Sequence, residues 1–207
     1  IFLTHLHPDH CMDLCGLHVA VRWKPGGWGR DRLPVWGPAA TADRMATAYG
    51  LDLDPGMHEE FDFTNWTELK PVTVGPFTVT PFAVNHPVEE AYALRVTATE
   101  PGKDGVSVTK ILTYSGDTDS CQGLEDAARD SDLFLCEAAF EEGRDDGIKD
   151  VHLTGKRAGE AAMNAGAKRL LLTHIPVWTS QTKVLSEAKP VFTGDVAVAV
   201  AGVHYTI

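Results

Sequence analysis

The chain of 207 residues is 43% hydrophobic and 23% charged, with 19 glycines and 12 prolines; this balance supports a buried core and excludes a disordered chain. Its formal net charge of −11, from 18 Lys and Arg against 29 Asp and Glu, repels polyanions unless basic groups gather locally, which disfavours a general nucleic-acid binder. No apolar run reaches the roughly 18–20 residues of a membrane span, and the opening IFLTH has neither the basic nor the apolar region of an export signal, so the expected location is cytoplasmic.

Residues 1–4 form a short apolar run that reads as a strand entering a site. Residues 12–22 carry Leu14, Leu17, Val19 and Val21 and read as a helix, stopped by Pro25-Gly26-Gly27. Residues 23–36, rich in Gly, Pro, Arg and Trp, read as a loop, and residues 38–49 as a helix closed by Gly50. Residues 77–84 and 91–97 are rich in β-formers and read as an antiparallel pair. A strand at 110–114 runs into Ser115-Gly116-Asp117-Thr118, followed by a helix at 121–129 and a buried strand at 132–136. Thr154 can cap an Ala-rich helix at 155–165, which Gly166 ends. A strand at 169–173 delivers His174, and 196–201 and 203–207 read as closing strands. No repeat or linker divides the sequence, so residues 1–207 read as one α/β domain whose strands end on polar residues where loops begin. Cys11, Cys15, Cys121 and Cys136 show no CxxC spacing and read as buried reduced thiols.

The densest chemistry lies in Thr4-His5-Leu6-His7-Pro8-Asp9-His10. Alternate residues of an extended chain share a face, so His5 and His7 can chelate one ion together. Pro8 bends the path and lets Asp9 and His10 turn toward a second. Imidazoles with a carboxylate suit zinc or a similar borderline metal, whereas the same groups as mere surface or core histidines would cost stability without partners.

This segment resembles the HxHxDH motif of the metallo-β-lactamase-fold hydrolases. The resemblance extends to His86 in Val84-Asn85-His86-Pro87, to Asp117 in the Ser-Gly-Asp-Thr turn, and to His174 after Leu170-Leu171-Leu172-Thr173. It implies an αββα four-layer sandwich with further strands before the motif, so that residues 1–207 would be a hydrolase domain short at its N terminus. It implies a ligand set as well: His5, His7 and His86 on one divalent ion, Asp9, His10 and His174 on another, and Asp117 shared. Zinc is the expected metal, with manganese or iron as alternatives. Flavodiiron-type relatives carry an acidic residue where this chain has Leu6-His7, which favours a dizinc hydrolase.

Two further segments resemble the phosphodiesterase branch, which includes the tRNA 3′-processing endonucleases: Leu135-Cys136-Glu137-Ala138-Ala139-Phe140 and Val151-His152-Leu153-Thr154. The resemblance implies that His152 serves the leaving oxygen and that Glu137 supports it; Asp9, Glu137 and His152 are the catalytic candidates. The tRNA enzymes insert a long Gly/Pro-rich arm between the positions of His86 and Asp117. Here residues 87–116 hold strands at 91–97 and 107–114 with a turn at 101–105, leaving no room for it. HPVEEAYALRV and THLHPDHCMDLCGL resemble bacterial cyclic-nucleotide phosphodiesterases of this fold.

The expected function is hydrolysis of a small phosphodiester, foremost a 3′,5′-cyclic nucleotide, with two metal ions, no membrane partner, RNA disfavoured and a homodimer allowed. The alternatives are a tRNA 3′-processing endonuclease and a truncated metal-binding module without turnover. Trp23, Trp28 and Trp36 with Arg22, Arg30 and Arg32 read as a surface loop, with a lid as the alternative; His18 reads as packed rather than ligating, and Ser115 and Thr118 as bonded to backbone or carboxylate.

Overall fold

A computed structural model describes residues 1–102 and 106–207, and its contacts gather into two units, Ile1–Thr67 and Glu68–Ile207. In the first unit, helices α1 (Pro8–Cys11), α2 (Asp13–Arg22) and α3 (Thr41–Tyr49) accompany two parallel strands, β1 (Leu33–Gly37) and β2 (Phe61–Asn65). Leu3, Cys11, Leu14, Val35, Met45, Met57 and Phe61 form its core. The run at 1–4 pairs with β1 through a single bridge, Phe2 to Trp36. Gly50, at φ +86°, ends α3 by returning its N–H to the Ala46 carbonyl at 3.0 Å, a left-handed cap that glycine adopts without strain.

The expected loop at 23–36 ends in strand β1, and Trp36 packs against Phe2 with ring centroids 5.3 Å apart. Pro34 hides this strand from propensity, yet it occupies an exposed position, where the side chain costs no packing; burial of Val35 decides the structure.

The second unit is a seven-stranded mixed sheet ordered β3 (Val72–Val74), β4 (Phe77–Ala83), β5 (Tyr92–Pro101), β6 (Ser107–Tyr114), β7 (Leu133–Glu137), β8 (Arg169–Thr173) and β9 (Asp195–Val198). Pairing is antiparallel from β3 to β6 and parallel from β6 to β9. The parallel part needs crossovers, supplied by α4 (Gln122–Ala128), α5 (Gly155–Asn164) and α6 (Gln181–Ala188). The turn expected at 101–105 includes residues 103–105, which lie outside the described residues.

Phe134 and Cys136 of β7 and Leu170 and Leu172 of β8 pack with Leu124, Ala127, Ala158, Ala161, Ala162, Val184 and Ala188 of the three helices. The opposite sheet face is apolar too: Leu112, Leu133, Leu135 and Leu171 line a recess there. Apolar groups on both faces explain why β7 and β8 are continuous hydrophobic runs rather than alternating ones. The expected closing strand at 203–207 does not form. After the Gly202 turn (φ +80°), the Tyr205 hydroxyl accepts the Val200 N–H at 3.0 Å, and Arg169 donates to the Thr206 carbonyl at 3.0 Å. Side chains, rather than a strand ladder, fix that segment.

Candidate metal centre

The candidate ligands of the first unit begin on extended backbone. His7 (φ −64°, ψ 147°) precedes Pro8, which takes the first position of α1. Proline suits that position because its φ is already helical and the N–H it lacks would have had no helical partner. The chain therefore switches from extended to helical inside the motif, with His5 and His7 before the switch and Asp9 and His10 after it. His5 is fully buried, its Nδ1 3.1 Å from the Thr4 hydroxyl. Its ring lies 4.9 Å from that of His7 and 4.2 Å from that of His10. Asp9 stays exposed, with Oδ2 3.4 Å from His10 Nε2. Two imidazoles thus stand close to the buried His5, and imidazole nitrogens are donors that suit a borderline cation.

The candidates of the second unit are carried on strand ends. Beyond β6, Gly116 at φ +59° turns the chain so that Asp117 points inward, 3% exposed. Ser115 clamps this turn by donating to the Gly116 carbonyl (2.6 Å) and accepting the Glu137 N–H (2.9 Å). Beyond β8, His174 sits at φ +52°, a left-handed conformation that an L-residue adopts only at a cost. Asp117 Oδ1 lies 3.5 Å from His174 Nδ1, and Oδ2 lies 4.0 Å from His152 Nδ1. One donor atom from each of the three falls within 4.8 Å of the others.

His86 is buried, with Nδ1 2.8 Å from the Val151 carbonyl. A carbonyl only accepts, so Nδ1 carries the proton and Nε2 keeps the lone pair, the tautomer a metal-binding imidazole needs. His152 lies against both His86 and His174, with ring centroids 5.4 Å from each.

Behind His152 is Glu137, fully buried at the end of β7. Its Oε1 accepts from His152 Nδ1 and from the Thr118 N–H at 2.8 and 2.9 Å; Oε2 accepts from the Ala139 and Leu153 N–H groups at 3.1 and 3.3 Å. Burial pushes this carboxyl upward in pKa, opposed by the His152 hydrogen bond. Four donors make the buried acid tenable, and the imidazole is held with Nδ1 toward Glu137.

The beta-lactamase superfamily domain model matches residues 1–175. The chain belongs to the beta-lactamase superfamily. Its relatives include the uncharacterized protein Rv1339 of Mycobacterium tuberculosis, 43% identical over 95% of this chain and 68% of that protein. The probable metallo-hydrolase YhfI of Bacillus subtilis is 31% identical over 98% of this chain and 76% of its own length. The YhfI crystal structure superimposes with a TM-score of 0.78, covering 98% of this chain and 75% of that one at 29% identity. A ribonuclease Z of Bacillus licheniformis is 31% identical over 95% of this chain and 77% of that enzyme. This superfamily member has the metallo-β-lactamase fold and is a metal-dependent hydrolase, a class that implies bound divalent metal ions.

His18 is buried against Glu60, Nε2 to Oε2 3.2 Å, and so is packed, as expected. All four cysteines are free thiols, with Cys11 and Cys136 buried and burial raising the Cys136 thiol well above its ordinary value; this suits inert packing. Thr118 donates to the Asp119 carbonyl at 2.6 Å and accepts the Asn85 N–H at 3.2 Å. Sequence reasoning missed Asp119 itself. Its carboxylate accepts from the Ser120 and Asp150 N–H groups at 2.7 and 2.8 Å and pairs with Arg157. The only local signal was a second acid two residues after Asp117; its partners stand some thirty residues away.

Proposed function

We propose that this hydrolase is a dinuclear phosphodiesterase acting on a small phosphodiester, foremost a 3′,5′-cyclic nucleotide. The reading rests on the Glu137–His152 pair beside Asp117 and His174. In it, His5, His7 and His86 would hold one ion, Asp9, His10 and His174 the other, and Asp117 would be shared. The donor set fits: imidazoles and carboxylates suit zinc, with manganese or iron as alternatives, and His86 has its proton on the nitrogen turned to backbone. When bound, divalent ions at these residues would make water nucleophilic at neutral pH and would offset charge on the phosphoryl group.

The chain's own groups do the rest. Glu137 fixes the His152 imidazole through Nδ1, which leaves Nε2 as the atom that hands a proton to the leaving oxygen. A ribose alkoxide is a poor leaving group, so an acid in this place is worth most on a nucleotide ester. Asp9, the other catalytic candidate, acts as a ligand.

Substrate size separates a cyclic nucleotide from tRNA. The ribonuclease Z alignment runs over 247 positions, more than this chain has residues, so that enzyme carries segments lacking here, whereas the YhfI alignment takes 203. Residues 92–101 and 107–114 are strands β5 and β6, which supports the absence of a tRNA-gripping arm between His86 and Asp117. The net charge of −11 also opposes a polyanion. Metal-reconstituted protein should therefore show a higher kcat/KM on cyclic mononucleotides than on pre-tRNA at one fixed salt concentration. The reverse order would transfer the reading to a tRNA 3′-processing endonuclease. Full metal content without hydrolysis of any ester would point to a binding module.

A further inference from the structure

We propose that Asp119 is a positioning residue that sets the His152 imidazole by locking the backbone of its loop. The proposal rests on His152 acting as the acid described above. Consecutive residues of this loop are each tied down. Asp150 sits at φ +62° and gives its N–H to Asp119 Oδ2 at 2.8 Å, while its Oδ1 accepts from Asn85 Nδ2 at 2.8 Å. The Val151 carbonyl accepts from His86, His152 is held by Glu137, and the Leu153 N–H returns to Glu137. Glu137 and His86 thus hold the far side of the loop, and Asp119 holds its entry.

Asp119 is suited to that task. Only 6% exposed, it is anchored by the Ser120 N–H on one oxygen and by its backbone on the other side, where its own N–H reaches the Asn85 carbonyl at 2.7 Å. Arg157, in the first turn of α5, pairs with Oδ1 and leaves Oδ2 to the loop. One residue therefore joins the segment before His86 through its backbone N–H, and the His152 loop and helix α5 through its carboxylate. A buried carboxylate that receives an arginine and two backbone N–H groups is strongly held, because charge-assisted hydrogen bonds are the strong ones. A misplacement of an ångström at a reacting group can cost about 100-fold in rate. The substitution Asp119→Asn keeps the shape but turns one acceptor into a donor facing the Asp150 N–H.

The test compares wild type, Asp119→Asn, His152→Ala and the double variant, all metal-reconstituted, on 3′,5′-cyclic AMP and on bis-p-nitrophenyl phosphate. Asp119→Asn should lower kcat on cyclic AMP by about 10–100-fold, the range for removing the group that orients a key side chain. KM and metal content should stay near wild type, and the loss on p-nitrophenolate, which leaves without a proton, should be several-fold smaller. In the His152→Ala background the substitution should add less than about 2-fold, since a residue that acts through His152 has nothing left to act on. Equal losses on both substrates, or losses that multiply with His152→Ala, would overturn the proposal. Should His152→Ala itself show no dependence on leaving group, the acid role fails. The positioning claim is then decided by the His152 Nδ1–H resonance and the Leu153 amide in hydrogen exchange. Both should exchange about 10-fold faster or more in Asp119→Asn, and wild-type rates would refute it. If Asp119→Asn does not fold, Arg157→Gln loosens the same carboxylate from outside the loop and should give the same pattern in weaker form; its absence would overturn the proposal.

Discussion

Two opposing forces act on Asp132, at the entry to β7. Burial disfavours its charge, but the Lys168 ammonium at 2.8 Å, the Ile111 N–H at 2.9 Å and nearby Lys110 outweigh it and hold the carboxyl below its ordinary range. A carboxyl depressed in the folded state contributes stability that is fully present above the unfolded value, near 4, and is lost as pH falls through the folded value. Asp132→Asn should therefore destabilise the protein at pH 7 and close the gap with wild type as pH drops below about 4. The difference at pH 7 is set at roughly 1 kcal/mol, because Lys168 is 67% exposed and solvent screens its share. Urea melts at pH 7 and pH 3 measure it, and a gap that does not narrow would contradict the assignment. The same scale divides the legible from the illegible residues. His5, His7, Asp9 and His10 crowd one segment, so spacing alone marks them. Asp119 and Asp132 have no such signature, because their partners stand 21 to 38 residues away.

Helix α5 shows what an element owes to its neighbours. Thr154 caps it as the sequence indicates, its hydroxyl accepting the Arg157 N–H at 3.2 Å. Gly155, however, is there for a reason that helix propensity hides: a Cβ at this position would stand 2.0 Å from the Val184 carbonyl of α6. Gly123 of α4 is constrained in the same way by the Ala83 carbonyl, also at 2.0 Å. Propensity favours alanine over glycine inside a helix by about 1 kcal/mol, yet Gly155→Ala and Gly123→Ala should each destabilise by about 2–3 kcal/mol, since backbone must move to admit the methyl. Thermal or urea denaturation checks this; a neutral or stabilising result would mean the helices part freely. Helix α6 and strands β2 and β3 escaped the sequence reading. In α6 only Val184 and Ala188 are buried, too thin a stripe to stand out. Strand β3 has three residues, fewer than an alternation pattern needs.

For the whole molecule the decisive quantity is bound metal. The proposed ligand set predicts two ions per chain in the replete protein; elemental analysis finding one or none would refute it. Asp117→Ala should lose both ions, and His86→Ala should weaken one. An ion that binds only the folded state stabilises it by about 2.7–4.1 kcal/mol at 100–1,000 times its Kd. At this chain length that corresponds to a melting temperature roughly 5–15 °C higher, so a chelator should lower the Tm by that amount and added metal should restore it. An unchanged Tm would mean that the ions do not support the fold.

Sequence alone determined what neighbouring residues decide among themselves: the crowded histidines, the proline that bends the path within their motif, the cap on α5 and the strands that lead to Asp117 and His174. Each depends on groups within a few residues, whose geometry covalent spacing already sets. Tertiary structure decided the strand order, the apolar character of both faces of β7 and β8, and the partners of Glu137, Asp119 and Asp132. Those pairings join groups tens of residues apart. Nothing in local propensity selects them; they form because burying the sheet brings charges and backbone donors together and leaves each to be satisfied by whatever the packing places beside it.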